Sequence, residues 1–190
     1  MRYAQIRPLD ITNGESTGMA LFVQGCHFHC KDCFNKETWD FDGGKEWTDE
    51  IEEKFIKLAA RPYIKRISFL GGEPLANENV STVLHIIQRI KMLYPEKNIW
   101  LYTGYTIEDI LPFGNMVRQQ NFDVNSIYRS EVVKHVDVLC DGAFMTDKKD
   151  PLNMIVKWVG STNQRVIDVQ KTIDSGGIKL WENQLTTVQN

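Results

Sequence analysis

The sequence predicts an α/β protein built as an incomplete, open parallel β/α barrel. Short apolar segments alternate along the chain with amphipathic helical segments, which is the pattern of βαβ units and a mainly parallel sheet. Nearly every apolar segment ends in a polar, glycine-containing sequence, such as QGC, GGEP, TGY and CDG. The chain has 190 residues. A closed eight-unit barrel typically needs about 250, so we expect the barrel to stay open.

Four segments have the composition of buried strands. GMALFVQG (18–25) is an apolar run bounded by glycines, and RISFLGGEP (66–74) runs into two glycines. NIWLYTGY (98–105) and HVDVLCDG (135–142) follow the same pattern. Two further strands are expected in MIVKWVG and RVIDVQ, joined by the polar turn STNQ. Because ligand sites gather at the carboxyl ends of parallel strands, we expect the polar endings to converge on one edge of the sheet.

Three helices are expected between these strands. TDEIEEKFIKLAA (48–60) has apolar residues at helical spacing, acidic residues in its first turn and Pro62 just after its end. VSTVLHIIQRIKMLYP (80–95) has the spacing of a second amphipathic helix. TIEDIL (106–111) is a short third helix.

Length and composition indicate one domain over residues 1–190, with 112–130 as an irregular insertion and 175–190 as a tail. The net charge is −3, from 22 basic and 25 acidic residues without a long run of either sign. Nucleic acid and membrane surfaces are therefore not expected as partners. The N-terminal sequence lacks the apolar stretch of a signal peptide, and no apolar run reaches the roughly 20 residues that span a bilayer. A cytoplasmic location is expected.

Three of the four cysteines lie in one short segment, GCHFHCKDCFN, as Cys26, Cys30 and Cys33. In a reducing compartment, clustered cysteines more often bind metal or carry redox chemistry than form disulfides. A closed zinc site would need a fourth ligand, from His27 or His29. An iron–sulfur cluster held by three thiolates would leave one iron free to bind a substrate. From this segment alone, a cluster, a zinc site and redox thiols all remain open.

The order of several motifs adds a resemblance to a known family. The cysteine segment ends in CFN and is followed, at the end of a later strand, by GGEP. This combination resembles the radical S-adenosylmethionine (SAM) superfamily. The motifs DITNG, WLYTGY, VDVLCDGAF, KDPL and GSTNQRVID narrow the resemblance to the family of anaerobic ribonucleoside-triphosphate reductase-activating proteins. It extends over roughly residues 3–170 and implies a barrel of the radical SAM type.

The resemblance implies a radical SAM oxidoreductase whose partner is anaerobic ribonucleoside-triphosphate reductase. Cys26, Cys30 and Cys33 would each bind one iron of a 4Fe–4S cluster, and SAM would bind the fourth iron. An electron from a flavodoxin or a ferredoxin-type donor would cleave SAM to a 5′-deoxyadenosyl radical. That radical would take a hydrogen atom from a glycine of the reductase. No catalytic side chain is expected, because the cofactors carry the chemistry.

The resemblance also implies which residues bind SAM. Gly72 would offer a backbone contact to the SAM amino group, with Glu73 supporting that end, since glycine lets a strand edge approach a ligand closely. Asp32, Cys33 and Phe34 form the segment expected nearest the nucleotide.

Further candidates for the SAM pocket lie at two later strand ends. They are Thr103, Gly104, Tyr105, Asn163 and Gln164. Cys140 is expected to be a buried free thiol. Related activases often carry an arginine shortly before the first strand, where this chain has Gly18. Two alternatives remain open: an activase of another glycyl-radical enzyme, of the pyruvate formate-lyase type, and a zinc-binding interaction module.

Overall fold

The computed structural model describes residues 1–111, 123–149 and 156–182. These residues form a mixed α/β fold around one seven-stranded sheet. The strands are β1 (Arg2–Asp10), β2 (Gly18–Val23), β3 (Lys45–Glu46), β4 (Arg66–Gly71), β5 (Asn98–Tyr102), β6 (Val138–Asp141) and β7 (Arg165–Asp168). The helices are α1 (Asp49–Ala59), α2 (Val80–Leu93), α3 (Ile107–Ile110), α4 (Val124–His135) and α5 (Val169–Ser175).

The middle of the sheet is parallel, as the sequence predicts. The strand order is β3-β1-β2-β4-β5-β6-β7. Strands β2, β4, β5 and β6 run parallel to one another, whereas β1, β3 and β7 are antiparallel to their neighbours. The four parallel strands therefore all end at the same edge of the sheet.

The two faces of the sheet are covered differently. Leu21, Phe69 and Leu101 point to the face that packs against α1, α2, α4 and α5, where the large apolar core lies. The alternating residues, among them Trp100 and Cys140, point to the opposite face, which we call the inner face. Side chains of the segments between the later elements cover part of the inner face instead of helices.

The predicted helices form close to their expected bounds. Helix α1 begins after Thr48, whose Oγ1 accepts a hydrogen bond from the Ile51 N–H at 3.4 Å, so the N-cap residue sets its first turn. Helix α2 buries the predicted apolar stripe, with Val83 and Ile87 fully enclosed. No helix in the described ranges is both long and apolar enough to cross a membrane.

The prediction of an irregular insertion at 112–130 is wrong for its last part. Helix α4 begins at Val124, because the Asp123 carboxylate accepts a hydrogen bond from the Ser126 N–H at 2.7 Å and caps it. The helix was missed because only Val132 and Val133 on it are buried, which leaves a weak apolar pattern. Residues 112–122 lie outside the described residues.

Two other predictions near the end of the chain need correction. Of the predicted strand MIVKWVG, residues 156–160 are described, and they form a bridge followed by turns instead of a strand. The strand predicted in RVIDVQ ends at Asp168, whose side chain caps α5 by accepting a hydrogen bond from the Lys171 N–H. The expected tail at 175–190 begins at the end of that helix, and residues 183–190 lie outside the described part.

Replacing Phe69 with alanine should destabilise the metal-free protein by about 3–5 kcal/mol. Phe69 is fully buried at the centre of the helix-covered core and contacts Phe55 edge-to-face. Urea denaturation followed by circular dichroism measures the change. Met92→Ala is the control, because Met92 is 74% exposed and its loss should change stability by less than about 0.5 kcal/mol. Equal effects of the two substitutions would contradict this placement of the core.

Candidate functional site

A cavity of about 420 Å³ lies at the carboxyl ends of the parallel strands. Cys26, Cys30 and Cys33 line it from the loop after β2, and Gly72 and Glu73 line it from the loop after β4. The ends of β5 and β6 complete the lining with Thr103, Gly104 and Gly142. The structure thus brings together the polar strand endings that the sequence predicts to converge.

The cysteine loop is shaped by its own backbone contacts. Gly25 has a φ of +94°, and a Cβ atom there would lie 2.1 Å from the ring of Phe41, so the turn requires glycine. The N–H of Cys26 donates to the Trp39 carbonyl at 3.0 Å, and the N–H of Cys33 donates to the Cys30 carbonyl at 3.1 Å. These bonds hold the three cysteines in a compact loop over the cavity.

The electrostatics of the loop favour protonated thiols in the absence of a metal. Burial raises the pKa of Cys26 to about 11, and burial also raises the pKa of Cys30. Since a metal binds the thiolate, metal binding must release protons at neutral pH. Affinity for a thiophilic metal is therefore expected to rise with pH.

The two histidines of the loop do not face the cavity. The ring of His27 lies 4.4 Å from that of Phe41, and its Nε2 lies 3.2 Å from Glu78. The ring of His29 lies 4.8 Å from that of Trp39. Within the described residues, no three His, Cys, Asp or Glu side chains are grouped to hold a single metal ion. A zinc site needs its ligands around one ion, whereas each thiolate of a cluster binds a different iron.

The glycine loop after β4 is joined to the cysteine loop through the backbone. The Gly72 N–H donates to the Val23 carbonyl at 2.9 Å, and the Glu73 N–H donates to the Gly25 carbonyl at 2.7 Å. A Cβ atom on Gly72 would lie 2.3 Å from the Gly25 carbonyl oxygen. The Gly72 N–H is thus engaged within the protein, and its carbonyl is the group that could accept from a ligand amino group.

Glu73 connects the glycine loop to the end of β5. Its buried carboxylate accepts hydrogen bonds from Thr103 Oγ1 at 2.8 Å, the Gly104 N–H at 2.8 Å and the Leu75 N–H at 2.9 Å. Burial nevertheless raises the pKa of Glu73 to about 7. A cation bound beside Glu73 would favour its ionised form.

Asp32 and Phe34, two candidates from the cysteine loop, lie in different surroundings. Phe34 is 60% exposed at the rim of the cavity, where its ring lies 5.2 Å from that of Phe144. The Asp32 side chain is not part of the cavity lining and lies 3.8 Å from Lys36 Nζ instead. Phe34 is therefore placed to touch a ligand in the cavity, and Asp32 is placed on the outside of the loop.

The remaining candidates mostly hold loops in position. Gln164 lines the cavity, and its Nε2 donates to the Gly142 carbonyl at 2.8 Å. Asn163 Nδ2 donates to the Ala143 carbonyl at 2.9 Å, so the pair joins the loops after β6 and before β7. Tyr105 does not line the cavity. Cys140 is a free thiol with no exposed surface, as predicted.

Phe28 and Arg7 are two of the several cavity residues that the sequence does not single out. Phe28 packs against Gly104, where a Cβ atom would lie 2.6 Å from its ring, and meets the Tyr105 ring edge-to-face at 5.0 Å. Its position between two cysteines was the available signal. Arg7 lies on β1, a strand that the sequence analysis left unassigned, and its guanidinium stands 4.3 Å above the Phe22 ring.

The pKa of Glu73 predicts a stability that falls as pH rises. Because the folded protein holds this proton up to about pH 7 and the unfolded chain releases it near pH 4.5, unfolding becomes easier between these values. The metal-free protein should lose about 2 kcal/mol from this group between pH 5 and pH 8.

Glu73→Gln should remove that part of the pH dependence, whatever its effect on absolute stability. Urea titrations at pH 5 and pH 8 measure the difference. Glu46→Gln, at an exposed residue of β3, is the matched control and should keep the slope of the unsubstituted protein. An unchanged slope in Glu73→Gln would show that Glu73 does not hold the proton.

Gly72→Ala should open the contact between the two loops, because its Cβ atom would meet backbone that cannot rotate away. We expect a loss of roughly 2 kcal/mol in unfolding free energy and a clear fall in iron bound after anaerobic reconstitution. Gly177→Ala is the control, since a Cβ atom at Gly177 has nothing within 4 Å. Identical stability and iron content in the two variants would refute the role of the close approach.

Comparison with known proteins identifies the family. The sequence matches the family described as "4Fe-4S single cluster domain" over residues 12–167. It is 40% identical over 168 residues to the anaerobic ribonucleoside-triphosphate reductase-activating protein of Salmonella typhi, which covers 87% of this chain and 97% of that protein. The protein of the same name from Vibrio cholerae is 37% identical over 166 residues, covering 86% of this chain and 96% of the relative.

A more distant relative shows the same extent of similarity. The anaerobic ribonucleoside-triphosphate reductase-activating protein of bacteriophage T4 is 32% identical over 166 residues, covering 87% of this chain and 93% of that protein. The matched region includes the cysteine loop, the glycine loop and the strands that carry them. The chain therefore belongs to the 4Fe–4S single cluster domain family and, within it, to the family of anaerobic ribonucleoside-triphosphate reductase-activating proteins.

Proposed function

We propose that this protein is a radical SAM enzyme that activates anaerobic ribonucleoside-triphosphate reductase by generating a glycyl radical on it. The observation that carries the proposal is the lining of the cavity, where three cysteines and no histidine meet the glycine loop. Membership of the activating-protein family supplies the partner.

Cys26, Cys30 and Cys33 are the proposed ligands of a 4Fe–4S cluster. Soft thiolates suit iron–sulfur clusters, and among the described residues the three side chains line one cavity that contains no fourth cysteine and no histidine. When bound, the cluster and SAM together supply reductive cleavage of the sulfonium and abstraction of a hydrogen atom. The chain supplies ligands, orientation and exclusion of water.

The residues around the cysteines have separate tasks in this proposal. The Gly72 carbonyl would accept from the SAM amino group, and the Glu73 carboxylate behind it would stabilise that positive end. Phe34 would pack beside the nucleotide at the rim. Apolar side chains such as Phe22 and Leu70, which line the cavity, would keep water from the reacting atoms.

Asp32 takes a smaller part than the family resemblance suggests. Its backbone lies in the cysteine loop, between Cys30 and Cys33, with a φ of +58°. Its side chain lies near Lys36 Nζ and is not part of the cavity lining. We propose that Asp32 shapes the loop and leaves direct contact with the nucleotide to Cys33 and Phe34.

The finer features of fold and setting belong to the same proposal. The four parallel strands and the covered inner face support an open barrel of the radical SAM type, formed by one domain over residues 1–190. An electron donor of the flavodoxin or ferredoxin type and a cytoplasmic location fit the reductive chemistry. The family of the relatives favours the ribonucleotide reductase over a pyruvate formate-lyase type partner. The outward position of both histidines disfavours the zinc module.

The decisive test mixes the reduced protein, SAM and the cognate reductase without oxygen and looks for a glycyl radical by electron paramagnetic resonance. The anaerobically reconstituted protein should be brown and contain about four irons per chain. Cys30→Ala should lose the cluster, SAM cleavage and the glycyl radical. Cys140→Ser should keep all three, because Cys140 is buried in β6 and does not itself line the cavity.

Two outcomes would overturn the proposal. A colourless protein that holds one zinc per chain would support the interaction module. Loss of the cluster in Cys140→Ser, with its fold intact by circular dichroism, would show that the count of three cysteine ligands is wrong.

A further inference from the structure

Arg66 is a buried cation that the proposed chemistry does not use. It begins β4, points to the inner face and has no exposed surface. A buried guanidinium is costly unless its donors are satisfied. Every contact of Arg66 should therefore have a structural or functional purpose.

The guanidinium gathers the segment between β1 and β2, residues 10–17, which we call the Asp10 loop. Arg66 donates to the Asp10 carboxylate at 2.8 Å, the Asp10 carbonyl at 3.0 Å, the Asn13 carbonyl at 2.6 Å and the Glu15 carbonyl at 3.0 Å. It also bonds to Ser68 Oγ, which itself donates to the Asn13 carbonyl at 2.6 Å. One side chain thus holds most of the backbone of this loop.

The Asp10 loop is also part of the functional site. Thr12 and Asn13 line the same cavity as the three cysteines. The side chain of Asn13 is fixed by a bond from its Nδ2 to the Asp10 carboxylate at 2.7 Å. The loop therefore forms one wall of the cavity, and the position of that wall depends on the Arg66 contacts.

Gly18 and Gly14 show that the space around the guanidinium is tightly defined. A Cβ atom on Gly18 would lie 2.6 Å from the Arg66 carbonyl oxygen and 2.8 Å from Arg66 Cζ, and one on Gly14 would lie 2.6 Å from Arg66 Cδ. Gly18 begins β2, directly beside Arg66 on β4. A side chain at residue 18 would therefore collide with both the backbone and the guanidinium of Arg66.

We propose that Arg66 is a positioning residue that holds the Asp10 loop as a wall of the SAM cavity. The inference rests on the proposed function for the identity of the ligand. It predicts that a lysine at residue 66 is inadequate, because one ammonium cannot reach the several acceptors that the planar guanidinium reaches.

The experiment compares Arg66→Lys and Arg66→Gly with the unsubstituted protein. Hydrogen–deuterium exchange of the metal-free proteins reports on residues 10–17. Equilibrium dialysis of the cluster-loaded proteins gives the dissociation constant of SAM. Arg89→Lys is the matched control, because Arg89 pairs with Glu52 and Glu53 on the helix-covered side, away from the cavity lining.

Arg66→Lys should expose the Asp10 loop to exchange and weaken SAM binding roughly tenfold, the size expected when charge-assisted hydrogen bonds are lost. The iron content and the hydrogen–deuterium exchange of α1 should stay unchanged. Arg66→Gly, which removes every one of these bonds, should loosen the loop further and weaken SAM binding more. Arg89→Lys should match the unsubstituted protein.

Two results would overturn the inference. One is a loosened Asp10 loop in Arg66→Lys with an unchanged SAM dissociation constant, which would make Arg66 a purely structural residue. The other is an Asp10 loop that keeps its full protection from hydrogen–deuterium exchange in Arg66→Gly. If the unsubstituted protein bound neither cluster nor SAM, the proposed function would fail. The hydrogen–deuterium exchange of the metal-free proteins would still test the contact between Arg66 and the loop.

Discussion

The close approach of Gly25 and Gly72 is the constraint on which the rest of the site depends. Two loops from neighbouring parallel strands meet backbone to backbone, with bonds from the Gly72 and Glu73 N–H groups to Val23 and Gly25. No side chain fits between them. The cysteine loop consequently sits at a fixed height above the strand ends, and the cavity beneath it keeps a defined shape. The parallel pairing of β2 and β4 makes this possible, because both strands end at the same level.

The close approach of the two loops also buries the carboxylate of Glu73, which changes its pKa. Its carboxylate satisfies donors from two loops but lies away from water, and burial outweighs the hydrogen bonds in setting its pKa. A group balanced in this way responds strongly to a nearby charge, since little water screens the interaction. An ammonium group placed against Gly72 would therefore favour the ionised form of Glu73. The same carboxylate accepts hydrogen bonds from Thr103 and Gly104, just after the next strand.

Much of this arrangement can be predicted from the sequence, and the exceptions have physical reasons. The strands that end in QGC and GGEP are buried on both faces, so their apolar runs are unmistakable. Strand β1 was missed because apolar and polar residues do not alternate with burial along it, since Leu9 is exposed and Asp10 is buried, and because it contains Pro8. Helix α4 buries too few residues to show a helical period. Side-chain direction is a further limit, since the sequence placed Asp32 and Phe34 together and the fold turns them apart.

The two faces of the sheet are stabilised by different interactions. On the helix-covered face, apolar side chains fill the space, which stabilises the fold and leaves no room for a ligand. A cofactor cavity needs walls that are held firmly while the space between them stays empty. Hydrogen bonds between a buried side chain and several backbone carbonyl or N–H groups meet that need, because they fix a loop without filling the volume beside it. Arg66 acts in this way on the Asp10 loop, as Glu73 does on the loops after β4 and β5. Apolar packing thus stabilises the helix-covered face, whereas hydrogen bonds from buried polar side chains hold the loops around the cavity. The ligand cavity lies where these hydrogen bonds take the place of packed side chains.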